Sequence, residues 1–129
     1  MKKRILIIDD EPSLLKSMER DLRKLHDKYE VYTNSDSDEA VKLIDEKNID
    51  LLITDIYMPG KEGLELIAEV NEKYPLLKII AMSGGGSLDR NTCLEVAEKF
   101  GASCSLNKPF SRDELIYAIE SELLKKALR

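Results

Sequence analysis

The sequence predicts an α/β fold, a doubly wound five-stranded parallel sheet with helices on both faces. Short apolar runs of strand length alternate five times with longer segments whose apolar residues recur at helical spacing. Runs such as Ile5–Ile8 and Leu51–Ile53 lack the polar alternation of a half-exposed strand, which indicates strands covered on both faces. Strands that alternate with helices pair in parallel, and right-handed crossovers then place helices on both sides of the sheet.

The strands and the first two helices follow from their residues. The five predicted strands are Arg4–Ile8, Tyr29–Thr33, Asp50–Ile53 with Thr54-Asp55 at its end, Leu77–Met82 and Ala102–Asn107. The first helix starts at Pro12, because proline is well tolerated in the first helical turn, where its missing N–H has no partner to lose. The second helix is predicted across Ala40–Ile44, after a polar segment in which Ser37 or a neighbour caps it.

Turn and cap residues bound the three remaining helices. The third, Leu64–Asn71, stops before a proline, which cannot continue it. The fourth, Leu88–Phe100, is closed by Gly101 in the position that favours glycine. The fifth begins at Ser111, where Glu114 three residues later completes a capping box. Its predicted inner face carries Leu115, Ile119 and Leu123.

Length and composition indicate one globular domain over residues 1–129. Hydrophobic residues make up 43% of the chain and charged residues 35%, a balance that supports a core. No apolar run approaches the roughly 20 residues that span a bilayer, so no membrane segment is expected. The basic start is followed by only four apolar residues, Ile5–Ile8, which is a strand and not a signal peptide.

Charge and cysteine usage exclude further classes of function. The net charge of -5 argues against direct binding to nucleic acid. Cys93 and Cys104 have neither CxxC spacing nor a neighbouring histidine cluster, so both are predicted to be reduced thiols in or near the core. His26, the single histidine, lies in a charged stretch and is predicted to be exposed. A cytoplasmic location follows.

Polar residues stand directly after four of the predicted strands. The first strand is followed by Asp9 and Asp10, the third ends in Asp55, the fourth precedes Ser83, and the fifth precedes Lys108. Ligands of doubly wound sheets bind beyond the carboxyl ends of the strands. We therefore expect these side chains to converge in one pocket.

Their chemistry restricts what the pocket can bind. Neighbouring carboxylates repel one another unless cations compensate them, and Lys108 supplies only one positive charge. Oxygen ligands favour Mg²⁺, with Mn²⁺ as the alternative, over zinc. Such an ion with a lysine and a hydroxyl suits phosphoryl transfer, in which an aspartate can be the nucleophile. The glycines of Ser83–Ser87 match no nucleotide-binding loop, and each motif alone also has an ordinary structural explanation.

Together these motifs resemble the receiver domains of two-component response regulators. The resemblance extends from about Lys3 to the last helix. It rests on four segments: Ile7-Ile8-Asp9-Asp10-Glu11-Pro12, Asp55-Ile56-Tyr57-Met58-Pro59-Gly60 with Gly63, Ser83 after the fourth strand, and Lys108-Pro109-Phe110. It implies a flavodoxin-like strand order 2-1-3-4-5.

The resemblance implies a role for each site residue. Asp55 would accept a phosphoryl group, and Lys108 and Ser83 would contact its oxygens. Mg²⁺ would be bound by Asp10, Asp55 and the backbone carbonyl of Tyr57, with Asp9 acting through a metal-bound water.

The resemblance also implies partners. The phosphodonor would be a sensor histidine kinase or a phosphotransfer protein. The chain would catalyse only its own phosphorylation and its own slow dephosphorylation, and would not otherwise be an enzyme. The output would pass to a downstream protein or an absent output domain. A homodimer through the face of helix 4, strand 5 and helix 5 is a further expectation. The sequence leaves open whether the chain is a stand-alone receiver or part of a longer protein.

Ser105 departs from the family pattern, since many receivers carry an aromatic residue three positions before the lysine. We therefore expect the loop Ser83–Ser87, with its three glycines, to carry most of the conformational change. Tyr57 is a candidate to shield the acyl phosphate from water, or it contributes its carbonyl alone.

Three alternatives remain open at this point. A haloacid-dehalogenase-like enzyme would carry its nucleophile as DxD after the first strand, whereas Asp9 and Asp10 are contiguous. A flavodoxin-like electron carrier would need backbone N–H groups and hydroxyls there, and not carboxylates. A receiver-like module that binds partners without phosphate is favoured by Ser105.

Overall fold

The computed structural model describes residues 2–56, 63–84, 95 and 97–127. The strands are β1 (Lys3–Ile8), β2 (Tyr29–Asn34), β3 (Leu51–Asp55), β4 (Lys78–Ser83) and β5 (Cys104–Asn107). The helices are α1 (Pro12–Arg23), α2 (Ala40–Lys47), α3 (Gly63–Lys73), the helical residues 95 and 97–100 of α4, and α5 (Arg112–Ala127). A 3-10 turn, Ser37–Glu39, precedes α2.

The sheet has the predicted architecture. All four strand pairings are parallel and the order is β2-β1-β3-β4-β5, so that β2 and β5 are the edge strands. In the register, Ile8 of β1 lies beside Thr54 of β3, and Asp55 lies beside Met82 of β4. The carboxyl ends of the three central strands therefore meet at one edge of the sheet.

The central strands bury side chains on both faces, as their continuous apolar runs predict. Leu6 and Ile8 of β1 belong to the core under α2 and α3, while Ile5 and Ile7 belong to the core under α1 and α5. All four are fully buried. Each such side chain contributes about 1.5–3 kcal/mol to folding, so the sheet is held from both sides.

The helix caps are as predicted at two positions. At the start of α5 the backbone N–H of Ser111 donates to the Glu114 carboxylate at 3.1 Å, and the N–H of Glu114 donates to the Ser111 hydroxyl at 3.0 Å. Gly101 ends α4 with a φ of 123°, a conformation that only glycine adopts without strain. Asp36, a neighbour of Ser37, caps the 3-10 turn that precedes α2, because its side chain accepts a hydrogen bond from Asp38 N–H. Glu39, the N-cap residue of α2 itself, makes no side-chain cap hydrogen bond.

Strand β5 is shorter than predicted. It starts at Cys104 and not at Ala102, because the N–H of Ala102 donates to the carbonyl of Ala97 at 3.0 Å and so belongs to the helix cap. The predicted inner face of α5 is also partly wrong. Leu115 and Ile119 are fully buried, but Leu123 is only half-buried, and Glu122 is buried instead.

Among the described residues, no helix is long and apolar enough to span a bilayer. Cys104 is a half-buried free thiol, whereas Cys93 lies outside the described residues. His26 is exposed, as predicted.

Candidate functional site

The site begins where β1 ends, at Asp9. Its side chain is fully buried, and its Oδ1 accepts a hydrogen bond from the N–H of Glu11 at 2.8 Å. Glu11 is the N-cap residue of α1 but makes no cap hydrogen bond with its own side chain. Asp9 thus fixes the three-residue turn between β1 and α1, and Asp10 lies exposed in that turn.

Asp55 is the last residue of β3 and is 6% exposed. The chain beyond it stays paired with β4, because the N–H of Ile56 donates to the carbonyl of Met82 at 3.1 Å. On the other side, α3 begins against the same carboxyl end. A Cβ atom added to Gly63 would lie 1.8 Å from the carbonyl oxygen of Asp55. The Asp55 backbone is therefore held between β4 and the first residue of α3.

Lys108 connects the two strand ends. Its Nζ donates to Asp9 Oδ2 at 2.7 Å and to Asp55 Oδ2 at 3.0 Å, and its side chain is 16% exposed. Burial lowers the pKa of Lys108, but the hydrogen bonds and charges of the two carboxylates outweigh burial and raise the pKa above its ordinary value. The lysine is therefore a permanent cation in this site.

Ser83 ends β4 and is 2% exposed. Its hydroxyl donates to Asn107 Oδ1 on β5 at 3.4 Å, close to the limit for a hydrogen bond. The N–H of Lys108 donates to the Ser83 carbonyl at 2.7 Å, so serine and lysine are joined through the backbone as well. Asn107 was not among the sequence candidates, although its position beside Lys108 at a strand end was a signal for it.

The carboxylates form a site that fits a divalent cation. Asp9, Asp10 and Asp55 each offer an oxygen, and these oxygens lie within 4.8 Å of one another. With Lys108 as the cation bound to two of them, the three carboxylates retain two negative charges when ionised. An all-oxygen donor set of this charge suits Mg²⁺.

The described residues thus bring together Asp9, Asp10, Asp55 and Lys108, with Ser83 at the end of the adjacent strand. Two predictions from the sequence concern residues that the structure does not describe. Tyr57, with its predicted carbonyl ligand and shielding role, lies outside the described residues. The same is true of most of the loop Ser83–Ser87.

Comparison with known proteins agrees with this geometry. The model of the response regulator receiver domain family matches residues 5–120. This protein belongs to that family. Among solved structures, a response regulator receiver domain protein from Clostridium thermocellum is 32% identical, with a TM-score of 0.86 and 98% of each chain covered. A CheY-like receiver domain protein from Methanospirillum hungatei JF-1 is 28% identical, with a TM-score of 0.86 and 98% of each chain covered.

A longer protein also contains the same fold. NtrX from Brucella abortus, solved in complex with ADP, is 29% identical with a TM-score of 0.88. The match covers 99% of this receiver domain but only 28% of the NtrX chain. Receiver domains of this fold therefore occur both as nearly the whole of a solved chain and as a part of a much longer one.

Proposed function

We propose that this receiver domain accepts a phosphoryl group on Asp55 from a phosphohistidine of a sensor histidine kinase or a phosphotransfer protein. The observation that carries the proposal is the position of Lys108 Nζ, which contacts Asp9 and Asp55 together inside an acidic cluster. Such a lysine is placed to stabilise negative charge on a phosphoryl group attached to Asp55.

The chemistry required of the chain is small. A carboxylate oxygen of Asp55 attacks phosphorus, the phosphorus–nitrogen bond of the donor breaks, and the departing imidazole keeps the electron pair and takes a proton from water. Lys108 then donates to the phosphoryl oxygens while it keeps its contact with Asp9. The product is an acyl phosphate on Asp55, and its hydrolysis returns the free carboxylate. We propose no turnover of any other substrate.

Mg²⁺, or Mn²⁺ in its place, would be held by Asp10, Asp55 and the carbonyl of Tyr57, with Asp9 engaged through water. Bound there, the ion would offset negative charge on the carboxylates and on the incoming phosphoryl group. An indirect role for Asp9 is supported by its contacts, because its two carboxylate oxygens already accept hydrogen bonds from Glu11 N–H and from Lys108. Asp10, which is exposed, is the carboxylate best placed to receive an ion from solvent.

We propose that the Ser83 hydroxyl changes its hydrogen-bond partner when Asp55 is phosphorylated. Its hydrogen bond to Asn107 is long at 3.4 Å, so little is lost when the hydroxyl turns toward a phosphoryl group on Asp55. A contact made only in one arrangement of the loop after β4 shifts the population toward that arrangement. The altered surface would then bind a downstream protein or an attached output domain in the cytoplasm.

The direct test is phosphorylation by acetyl phosphate with Mg²⁺, followed by intact-protein mass spectrometry. We expect one added phosphoryl group in the wild type and none in Asp55→Asn. Asp27→Asn, a matched change of an exposed aspartate after α1, should be labelled like the wild type. Equal labelling of wild type and Asp55→Asn would contradict the assignment of the acceptor.

A second function, partner binding without phosphate, is favoured by Ser105 on β5. A serine cannot act as the aromatic residue that many receivers place here. Folded wild-type protein that stays unlabelled with Mg²⁺ and acetyl phosphate, as well as with a phosphorylated histidine kinase, would support this second function.

A further inference from the structure

Asn107 is the last residue of β5, and its side chain contacts the hydroxyl of Ser83 on the neighbouring strand. The two residues are partners in the register of the parallel pair β4–β5, and the Ser83 hydroxyl donates to Asn107 Oδ1 at 3.4 Å. Directly beyond this pair, the N–H of Lys108 donates to the Ser83 carbonyl at 2.7 Å. Asn107 is therefore held beside Ser83 by the pairing of the two backbones as well as by the side-chain contact.

The hydrogen bond of Ser83 points away from the proposed phosphoacceptor. Ser83 follows Met82, which is the register partner of Asp55, so its hydroxyl lies at the same edge of the sheet as the Asp55 carboxylate. Because β4 lies between β3 and β5, a bond to Asn107 leads in the opposite direction. When the Ser83 hydroxyl turns toward a phosphoryl group on Asp55, it must give up Asn107.

Ser105, two residues earlier in β5, does not offer the same contact. Cys104 and Leu106 pack in the core under α1 and α5, so the side chains of Ser105 and Asn107, which alternate with them, belong to the other face of the strand. In the register Ser105 lies beside Ala81 of β4, which has no polar side-chain atom. Among the described residues of β5, it is Asn107 whose side chain reaches the switching hydroxyl.

We propose that Asn107 is a positioning residue, which holds the Ser83 hydroxyl in its unphosphorylated arrangement and so sets how readily Ser83 turns toward a phosphoryl group on Asp55. This inference rests on the proposed phosphorylation and adds a residue to its regulation. A hydroxyl has one proton to donate, so Asn107 and the phosphoryl group compete for it. A weaker acceptor in place of Asn107 favours the phosphorylated arrangement, and a stronger acceptor opposes it.

The probe is beryllium fluoride, which mimics an acyl phosphate when it binds to an aspartate carboxylate with Mg²⁺. Its dissociation constant is measured by NMR on ¹⁵N-labelled protein. Asn107→Leu has a side chain of similar size without an acceptor and should bind the probe about threefold more tightly than the wild type. Asn107→Asp has a charged, stronger acceptor and should bind it about tenfold more weakly. Changes of the same sign in the two folded variants would overturn the proposal, because loss of packing alone affects both alike.

A double-mutant cycle with Ser83→Ala separates the contact from the charge that Asn107→Asp brings near the acidic cluster. In Ser83→Ala protein, the two changes of Asn107 should alter the dissociation constant by less than about twofold. Effects that persist without the Ser83 hydroxyl would overturn the proposal. Ser105→Ala is the matched control on the same face of β5, and it should bind beryllium fluoride like the wild type.

The contact itself is tested without Mg²⁺ or a phosphate mimic. The side-chain NH₂ signals of Asn107 are identified by their absence from the spectrum of Asn107→Leu. Ser83→Ala should shift these signals, and by more than Ser105→Ala does. Unshifted signals in folded Ser83→Ala would overturn the proposal, whether or not Asp55 can be phosphorylated.

Failure of the proposed phosphorylation gives a different result from failure of this inference. Wild-type protein that neither binds beryllium fluoride nor is labelled by acetyl phosphate would overturn the acceptor role of Asp55, and this inference with it. Equal dissociation constants for the wild type, Asn107→Leu and Asn107→Asp, with normal labelling of Asp55, would overturn the role of Asn107 alone.

Discussion

Asp9 and Asp10 are adjacent in the chain but differ in what they contact. Asp9 is fully buried, and each of its oxygens accepts a hydrogen bond from the protein, one from Glu11 N–H and one from Lys108. Asp10 is exposed and contributes an oxygen to the acidic cluster that it forms with Asp9 and Asp55. The first aspartate therefore positions Lys108 and the start of α1, while the second is available to a cation.

Lys108→Met tests how much the acidic cluster depends on its lysine. Removal of the cation leaves Asp9 buried and paired only with a backbone N–H, beside two more carboxylates. Breaking a buried ion pair from one side costs about 3–5 kcal/mol, and we expect the lower end, about 3 kcal/mol, because Asp10 and part of Lys108 reach solvent. Urea unfolding in Mg²⁺-free buffer measures this loss in the free energy of unfolding.

Lys73→Met is the matched control for Lys108→Met. Lys73 lies 3.9 Å from Asp45, and both side chains are more than half exposed. Exposed pairs of this kind contribute at most about 1 kcal/mol. A similar loss of stability in the two variants would show that the buried position of Lys108 has no special importance.

At the scale of the elements, the site depends on how closely α3 approaches β3. Gly63 is the first residue of α3, and its Cα faces the end of β3 with no room for a side chain. The sequence motif included Gly63, but only the packing of the two elements shows why glycine is needed there. The backbones of Gly63 and Asp55 are close both in the sequence and in space. No local sequence pattern, however, predicts that they come into contact.

Gly63→Ala has two opposing effects on stability. Helix propensity favours alanine over glycine by about 1 kcal/mol inside a helix, and by less at Gly63, the first residue of α3. The added Cβ, however, would lie 1.8 Å from the Asp55 carbonyl oxygen and 2.5 Å from Ile56 Cα, so backbone must move. Overpacking of this kind costs about 1–3 kcal/mol or more, and we expect a net loss of about 2 kcal/mol in urea unfolding.

Labelling provides a second measure of Gly63→Ala. Because the displaced backbone carries Asp55, phosphorylation by acetyl phosphate should also become slower. Glu65→Ala, an exposed change in the first turn of the same helix, should alter neither quantity appreciably. A Gly63→Ala protein as stable as the wild type would mean that α3 can start farther from β3 without penalty.

At the scale of the whole molecule, the sequence pattern predicted a parallel sheet with covered faces and strand ends at one edge, while the strand order that the structure shows was implied by the resemblance to receiver domains. Continuous apolar runs such as Ile5–Ile8 require cover on both faces, and that requirement determines where the strand ends meet. The position of Glu122 could not be predicted in the same way. Its spacing from Ile119 places it on the inner side of α5, but local periodicity cannot show whether a charged side chain there reaches solvent.

Mg²⁺ should stabilise the folded chain, because the acidic cluster exists only when β1 and β3 are paired. The ligand oxygens of Asp9, Asp10 and Asp55 come within 4.8 Å of one another through the sheet, and an unfolded chain has no equivalent site. At a free concentration ten times the dissociation constant, linkage gives about 1.4 kcal/mol. For a chain of 129 residues this corresponds to a rise in Tm of about 3–6 °C.

Asp10→Asn should abolish most of this rise in Tm. Without the ion the variant should be at least as stable as the wild type, because one repelling carboxylate has been removed. The Tm of the control variant Asp27→Asn should rise with Mg²⁺ as in the wild type. NaCl of equal ionic strength should not reproduce the rise in Tm, and a chelator should reverse it. Because Asp10 is exposed, its replacement should weaken Mg²⁺ binding without damage to the fold. An equal rise in the Tm of Asp10→Asn would therefore mean that the ion binds outside the acidic cluster.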